Sequence, residues 1–170
     1  MTAFQIVPAG PGDMAKIGPL VAEMLAFYKT PMPVEEAELA TILEQDGPAG
    51  AGAYDCLIAW TQPGEQSKPL GFAMYSTVYE AAFVGNGIFL RDLYVTEEAR
   101  GKRVGKALMT HLAQICLDQG YRRIDWHADR LDLHARAFYE LIAPDSFKLN
   151  RLSYRVEGDA LTALASIPIE

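Results

Sequence analysis

Cysteine is scarce in this chain. Cys56 and Cys116 are the only two, they stand far apart, and there is no Cys-x-x-Cys pair. Neither a disulfide framework nor a metal knuckle is expected, and both thiols read as buried and reduced. Histidine is short as well: His111, His127 and His134 share no metal-ligand spacing, so no metal is expected. No apolar run approaches the ~20 residues that cross a bilayer. The opening Met-Thr-Ala-Phe-Gln-Ile-Val lacks the charged and apolar regions of a signal peptide. The expectation is a cytoplasmic protein with no membrane partner. Positive charge is in deficit too, with 15 Lys and Arg against 22 Asp and Glu and a formal charge of −7. General nucleic-acid binding needs a basic face, so no nucleic acid is expected; an acidic surface mildly favours cationic small molecules. Pro-rich or Ser-rich linkers and repeats are missing, which leaves a single domain over residues 1–170, long enough to bury roughly 70% of its unfolded surface.

What the chain does contain is one stretch, Asn86 to Gln119, around which the rest is arranged. Ile88 to Val95 is apolar, β-branched and aromatic and follows Asn86-Gly87, the pattern of a buried strand. Its apolar residues run on rather than alternating, as when both faces are covered. Val104 to Leu117 carries Val104, Ala107, Leu108, Leu112 and Ile115 at helical spacing. Between them lies a loop with Arg100, Gly101, Lys102, Arg103, Gly105 and Lys106. A strand, a basic loop with glycines and a helix together aim backbone N–H groups and a helix N-terminus at phosphate oxygens. Cations at a helix N-terminus oppose the macrodipole, and four of them are easier to explain if an anion sits there.

The spacing narrows the anion. A Walker loop needs four residues between its glycine and Gly-Lys, then Ser or Thr for magnesium; here three residues separate Gly101 from Gly105-Lys106, and Ala107 follows. A dinucleotide fingerprint wants three glycines at Gly-x-Gly-x-x-Gly, and this loop has two, in other places. A diphosphate held without a protein-bound metal remains.

Elsewhere, Phe4 to Val7 reads as a first strand stopped by Pro8-Ala9-Gly10-Pro11-Gly12. Asp13 is placed to cap a helix reaching about Tyr28, with Ile17, Leu20, Val21, Met24, Leu25 and Tyr28 on one face. An acidic helix from Val34 to about Glu44 follows, then a bent, glycine-rich segment from Ala49 to Tyr54. Cys56 to Thr61 and Leu70 to Val78 read as strands joined by an exposed hairpin loop over residues 62–69, and Tyr79 to Gly85 as the connection to the central strand. Tyr121 to Ala128 reads as a further strand, Leu133 to Leu141 as a helix with Asp132 at its start, Arg151 to Val156 as a last strand, and Glu157 to Ala165 as a short helix. His127 and Asp129 stand together near a strand end, although a lone strand histidine is more often a hydrogen-bonded structural residue.

The loop resembles the acyl-CoA pyrophosphate loop of the GCN5-related N-acetyltransferases, Gln/Arg-x-x-Gly-x-Gly/Ala, with Arg100 and Gly105 at its outer positions and Arg103 where the inner glycine usually stands. Leu-Arg-Asp-Leu-Tyr-Val at 90–95 resembles that family's strand before the loop, and Ala137-Phe138-Tyr139 its Asn/Ala-Phe-Tyr helix. The interval between loop and helix fits the diamine acetyltransferase branch. The resemblance implies an α+β fold with a mixed, mostly antiparallel central sheet flanked by helices. It implies acetyl-CoA as acyl donor, with the diphosphate on Arg100, Gly101, Lys102, Arg103, Val104, Gly105 and Lys106, and pantetheine along Leu93, Tyr94 and Val95, where the family's strand bulges and splays. Asp132 stands where the family has an asparagine near the cofactor arm. Tyr139 would protonate the leaving thiolate, since a phenol with a pKa of roughly 10 keeps its proton at neutral pH.

The acceptor side is less determined. Tyr75, Tyr79 and Glu80 would line its wall. The diamine branch has a glutamate where this chain has Arg91. Either Asp92, or Glu80 through a water, takes the amine's proton, or Arg91 binds a carboxylate on the acceptor. The expected activity is acetyl transfer to a primary amine of a small molecule such as a polyamine or amino acid, by direct attack on the thioester, in a possible homodimer. A non-catalytic acyl-CoA sensor and a protein N-acetyltransferase are the rivals.

Overall fold

In the computed structural model, which describes residues 4–61, 67–82 and 84–169, the chain forms two compact units, residues 1–128 and 129–170. The first contains a five-stranded sheet in the order β1 (Phe4–Pro8), β2 (Asp55–Thr61), β3 (Pro69–Glu80), β4 (Gly85–Val95) and β5 (Ile124–Trp126). β1 to β4 pair antiparallel and β5 joins β4 in parallel, so the sheet is mixed and mostly antiparallel, as expected. A parallel neighbour needs a crossover, which α3 (Val104–Asp118) supplies; α1 (Met14–Phe27) and α2 (Glu36–Asp46) lie between β1 and β2.

The sheet has two covered faces. Met14, Ile17, Val21 and Met24 of α1 bury themselves with Cys56, Ile58, Trp60, Phe72, Met74 and Tyr94 in one cluster. Phe72 is fully buried there, worth about 1.5–3 kcal/mol on its own. Strand residues of the other parity, Leu57, Ala59 and Ala73, are buried outside that cluster. That face is covered by α3, whose buried residues Val104, Leu108, Met109, Leu112 and Cys116 form a helical stripe. Both cysteines are buried and free.

Several boundaries differ from the sequence expectation. Asp13 sits at the N-cap of α1, but its carboxylate caps no helix N–H; it accepts from Gly10 N at 2.8 Å and so closes the preceding turn. β3 runs on to Glu80, with Tyr79 opposite Asn86 and Glu80 opposite Gly85. Tyr79 and Glu80 are therefore strand residues, and the connection to β4 shortens to residues 81–84. In the loop between β2 and β3, residues 62–66 lie outside the described ones. Residues 121–128 yield only the three-residue β5, because Ile124, Asp125 and Trp126 alone find ladder partners on β4.

In the second unit, α4 (Leu133–Ile142) is capped by Asp132, whose carboxylate accepts from Ala135 N at 2.9 Å, and α5 (Asp159–Ala165) follows. The strand expected at Arg151–Val156 is not formed: those residues have no regular secondary structure. Alternating Leu152, Tyr154 and Val156 specify which side of a strand would be apolar, but a strand exists only where its backbone groups meet a ladder. Among the described residues no helix is long and apolar enough to cross a membrane.

Candidate active site

The centre of the site is an irregularity in β4. Met74 stands opposite Asp92 while the next residue, Tyr75, stands opposite Leu90, so Arg91 is an extra residue without a ladder partner. A bulge of this kind reverses which side chains face which way. Cross-strand partners share a face: Ile88 and Leu90, opposite Thr77 and Tyr75, lie on the α3 side, whereas Asp92 and Tyr94, opposite Met74 and Phe72, lie on the α1 side.

The same point marks the end of the pairing with β5. Ile88, Phe89 and Leu90 pair with Ile124, Asp125 and Trp126; among the described residues Arg91 to Val95 have no strand on that side, which leaves an open edge. Thr96 N donates across to Leu70 O on β3 at 3.0 Å, and alternate residues turn their backbone groups to the same edge. Tyr94 therefore turns its backbone groups to β3, while Leu93 presents N–H and C=O, and Val95 its N–H, to the open edge. The open segment ends in a buried Thr96 and a single 3-10 turn, Glu97–Ala99.

The loop that follows is built for N–H display. Gly101 has φ of +74° and Arg103 φ of +69°, the left-handed region that glycine favours. This accounts for the glycine preferred at the Arg103 position: the backbone adopts the glycine conformation and an arginine has been fitted to it. Arg103 is the N-cap of α3 and caps it with no side chain, and the first N–H with a carbonyl partner at that end is Ala107, to Arg103 O at 3.0 Å. The preceding N–H groups and the positive end of the helix dipole are free to meet an anion. Lys102, Arg103 and Lys106 are exposed beside them.

Arg100 behaves differently from its neighbours. Its Nε donates to Val95 O at 3.2 Å, and its guanidinium carbon lies 4.6 Å from the Phe27 ring centre and 5.8 Å from that of Tyr94. The Tyr94 hydroxyl donates to Glu23 Oε1 at 2.8 Å. Burial, and then the bond to Glu23, push that phenol up to about 12.

On the α1 face beside the bulge, burial raises the Asp92 carboxyl above its ordinary value, and the adjacent Arg91 charge offsets part of that rise. Arg91 is exposed, with its guanidinium 5.5 Å from the Phe89 ring centre. His127 meets the same ring edge-on at 5.2 Å. The structure thus brings Arg91, Phe89 and His127 together, with Asp92 next to Arg91 in the chain, and the histidine meets an aromatic ring there. It does not bring Tyr79 or Glu80 to Asp92. They lie five and six residues along β3 from Met74, roughly 17 and 20 Å away. Glu80 is also engaged in a salt bridge with Arg123. Tyr75 is buried on the α3 face, its phenol pushed up to about 12 by burial. In the second unit, Tyr139 is half-buried on α4 with its ring 5.2 Å from that of Phe138, and the carboxylate of Asp132 is occupied as the helix cap.

Sequence reasoning missed Glu23 and Phe27, which reach this region from α1. Their one-turn spacing with Tyr94 and Arg100 elsewhere in the chain leaves no local signature. The face inversion at Arg91 had one trace: Asp92 continues the apolar alternation of Ile88 and Leu90, where a carboxylate is out of place.

Residues 21–142 match the model of the acetyltransferase (GNAT) family. Among curated proteins, the chain is 30% identical to the thialysine N-epsilon-acetyltransferase of Bos taurus, covering 97% of this chain and 99% of that protein. It is 29% identical to the D-amino-acid N-acetyltransferase of Saccharomyces cerevisiae over 87% of each. Among solved structures, an integron cassette protein from the mobile metagenome of V. cholerae superposes with a TM-score of 0.83 at 27% identity, covering 98% of this chain and 99% of that one.

Proposed function

The chain belongs to the acetyltransferase (GNAT) family and is an acyltransferase, and on that premise we propose that it transfers the acetyl group of acetyl-CoA directly to the primary amine of a small molecule. The observation that carries this reading is the continuity of the open edge of β4 with the uncapped N-terminus of α3. One ligand with an amide-bearing arm and a diphosphate fits both. Lys102, Arg103, Lys106 and the free N–H groups of the helix start would take the diphosphate. Leu93 and Val95 would bond the arm, and the Leu93 N–H would stabilise the oxyanion that forms when the amine attacks.

In the proposed reaction the amine nitrogen bonds to the thioester carbonyl carbon, the C–S bond breaks, and two protons move. Asp92 is the base for the amine's proton: it is next to the open edge, and a raised carboxyl is a better proton acceptor than an ordinary one. Glu80 is set aside because Arg123 holds it. The proton for the departing thiolate comes from Tyr139. The family match runs from Val21 to Ile142 and crosses from the first unit into the second, which supports residues 1–170 acting as one catalytic domain.

Within the amines, an acceptor that carries a carboxylate is favoured. Arg91 is an exposed cation beside Asp92, and the two curated relatives are named for thialysine and D-amino acids. A homodimer in the cytoplasm is part of the proposal on the family resemblance alone, and sedimentation equilibrium tests the dimer. The test of the activity is release of free thiol from acetyl-CoA across a panel of diamino acids, polyamines, monoamines and N-terminal peptides. Turnover highest with a diamino acid is expected. Turnover confined to peptides would overturn the small-molecule reading, and binding of CoA without turnover on any acceptor would overturn the transfer itself.

A further inference from the structure

Arg100 opens the loop assigned to the diphosphate, yet its guanidinium is turned back toward the sheet, onto Val95 O and the Phe27 ring. A planar, delocalised cation can stack on a ring while it donates in its own plane, which an ammonium cannot do. Glu23 lies four residues before Phe27 on α1, so both project from one face of that helix. Glu23 holds Tyr94 and Phe27 holds Arg100, the last buried residue of the open segment and the first residue of the loop. From the end of β4 at Val95 to Arg100 the backbone has one short 3-10 turn, Glu97–Ala99, and no other regular structure.

We infer that Arg100 is a positioning residue and not a phosphate ligand, and that Glu23 and Phe27, acting through Tyr94 and Arg100, hold the open edge of β4 at a set distance from the N-terminus of α3. The need for this follows from the ligand: an arm bound at Leu93 and Val95 and a diphosphate bound at the α3 N-terminus are parts of one molecule. An error in their separation costs affinity at both ends. The inference rests on the proposed binding of acetyl-CoA across these two segments.

The test compares KM for acetyl-CoA with KM for S-acetylpantetheine, which has the same thioester arm and no diphosphate, in Arg100→Met, Arg100→Lys, Phe27→Leu and Glu23→Gln. Lys16→Met, which removes a cation–ring contact of α1 with Trp60 on another part of the sheet, is the control. Loss of a charged hydrogen bond and a ring contact together should raise KM about tenfold. As a positioning residue, Arg100 should show that rise for acetyl-CoA in Arg100→Met and little change for S-acetylpantetheine, which does not span the two segments, with kcat within about twofold, no rescue by lysine, and the same pattern at smaller size in Phe27→Leu and Glu23→Gln. Recovery in Arg100→Lys would make Arg100 a phosphate ligand, and an equal rise for S-acetylpantetheine would make it a support of the arm segment alone; either result would overturn the inference. If Arg100→Met fails to fold, Phe27→Leu, at an exposed ring, decides the matter by the same comparison, and unchanged KM values there also overturn it. Absence of turnover in the wild-type protein would instead sink the acetyl-CoA reading itself.

Discussion

Replacing Arg103 by glycine should make the free protein more stable and its hold on CoA weaker. Arg103 sits at φ +69° and ψ 11°, and a residue with a Cβ pays about 1–2 kcal/mol to be there. Glycine escapes that strain but loses about 0.5–1 kcal/mol more conformational entropy on folding. The net gain for the backbone lies between about 0 and 1.5 kcal/mol. Removing an exposed cation from the positive end of α3 adds about 0.3–1 kcal/mol. Arg103→Ala separates the two effects, because it removes the charge and keeps the strain. For a chain of this length each kcal/mol moves Tm by roughly 2–4 °C, so the glycine variant should melt up to about 6 °C above the alanine variant, and both at or above wild type. In the presence of CoA that advantage shrinks: both variants lose one phosphate-facing charge, worth about 0.7–1.4 kcal/mol or three- to tenfold in Kd. Differential scanning calorimetry and isothermal titration calorimetry read the two quantities. A glycine variant that melts below the alanine variant would refute the strain argument, and wild-type CoA affinity in both would refute the placement of the diphosphate.

Other outcomes follow from the same geometry. Tyr139→Phe should fold normally and lose about 10²-fold in kcat; full activity would remove the proposed acid. Burial raises the Asp92 carboxyl above 3.8, so its ionised form costs the folded state stability at neutral pH, and that cost vanishes as pH falls through the raised value. Asp92→Asn should therefore be the more stable protein at neutral pH by urea titration, with its advantage shrinking on acidification toward 3.8, while wild-type kcat/KM falls over the same interval; a pH-independent difference would count against it. At Gly71 a Cβ would meet Tyr94 O at 2.5 Å and Val95 Cα at 3.1 Å, so Gly71→Ala should cost about 1–3 kcal/mol and weaken CoA binding; an unchanged urea midpoint would contradict the packing described.

The parts legible in the sequence were those whose cause is local. The central strand, α3 and the basic loop announced themselves through apolar spacing and glycine placement, because each is set by residues within a few positions of one another. Arg103 was legible as a departure, and its left-handed backbone shows why a glycine is preferred there. What depends on register was not legible. The bulge at Arg91 is a relation between β3 and β4, so no reading of β4 alone could assign Asp92 and Tyr94 to the α1 face. The placement of Tyr79 and Glu80 far from Asp92 follows from β3 running to Glu80, two residues past the point where its apolar pattern fades. The absent strand at Arg151–Val156 shows the opposite failure: a correct alternation with no ladder to join.

The crossover that brings β5 home has a dynamic consequence. β2, β3 and β4 are successive in the chain and adjacent in the sheet, so each can zip onto the one before it, whereas β5 must wait for the 15 residues of α3 and then gains only three paired positions. Late assembly and sparse bonding make that flank the cheapest to detach. The fork between β4 and β5 can thus widen while the antiparallel meander stays closed, and amide protons of Ile124–Trp126 should exchange with solvent well before those of Phe72–Met74.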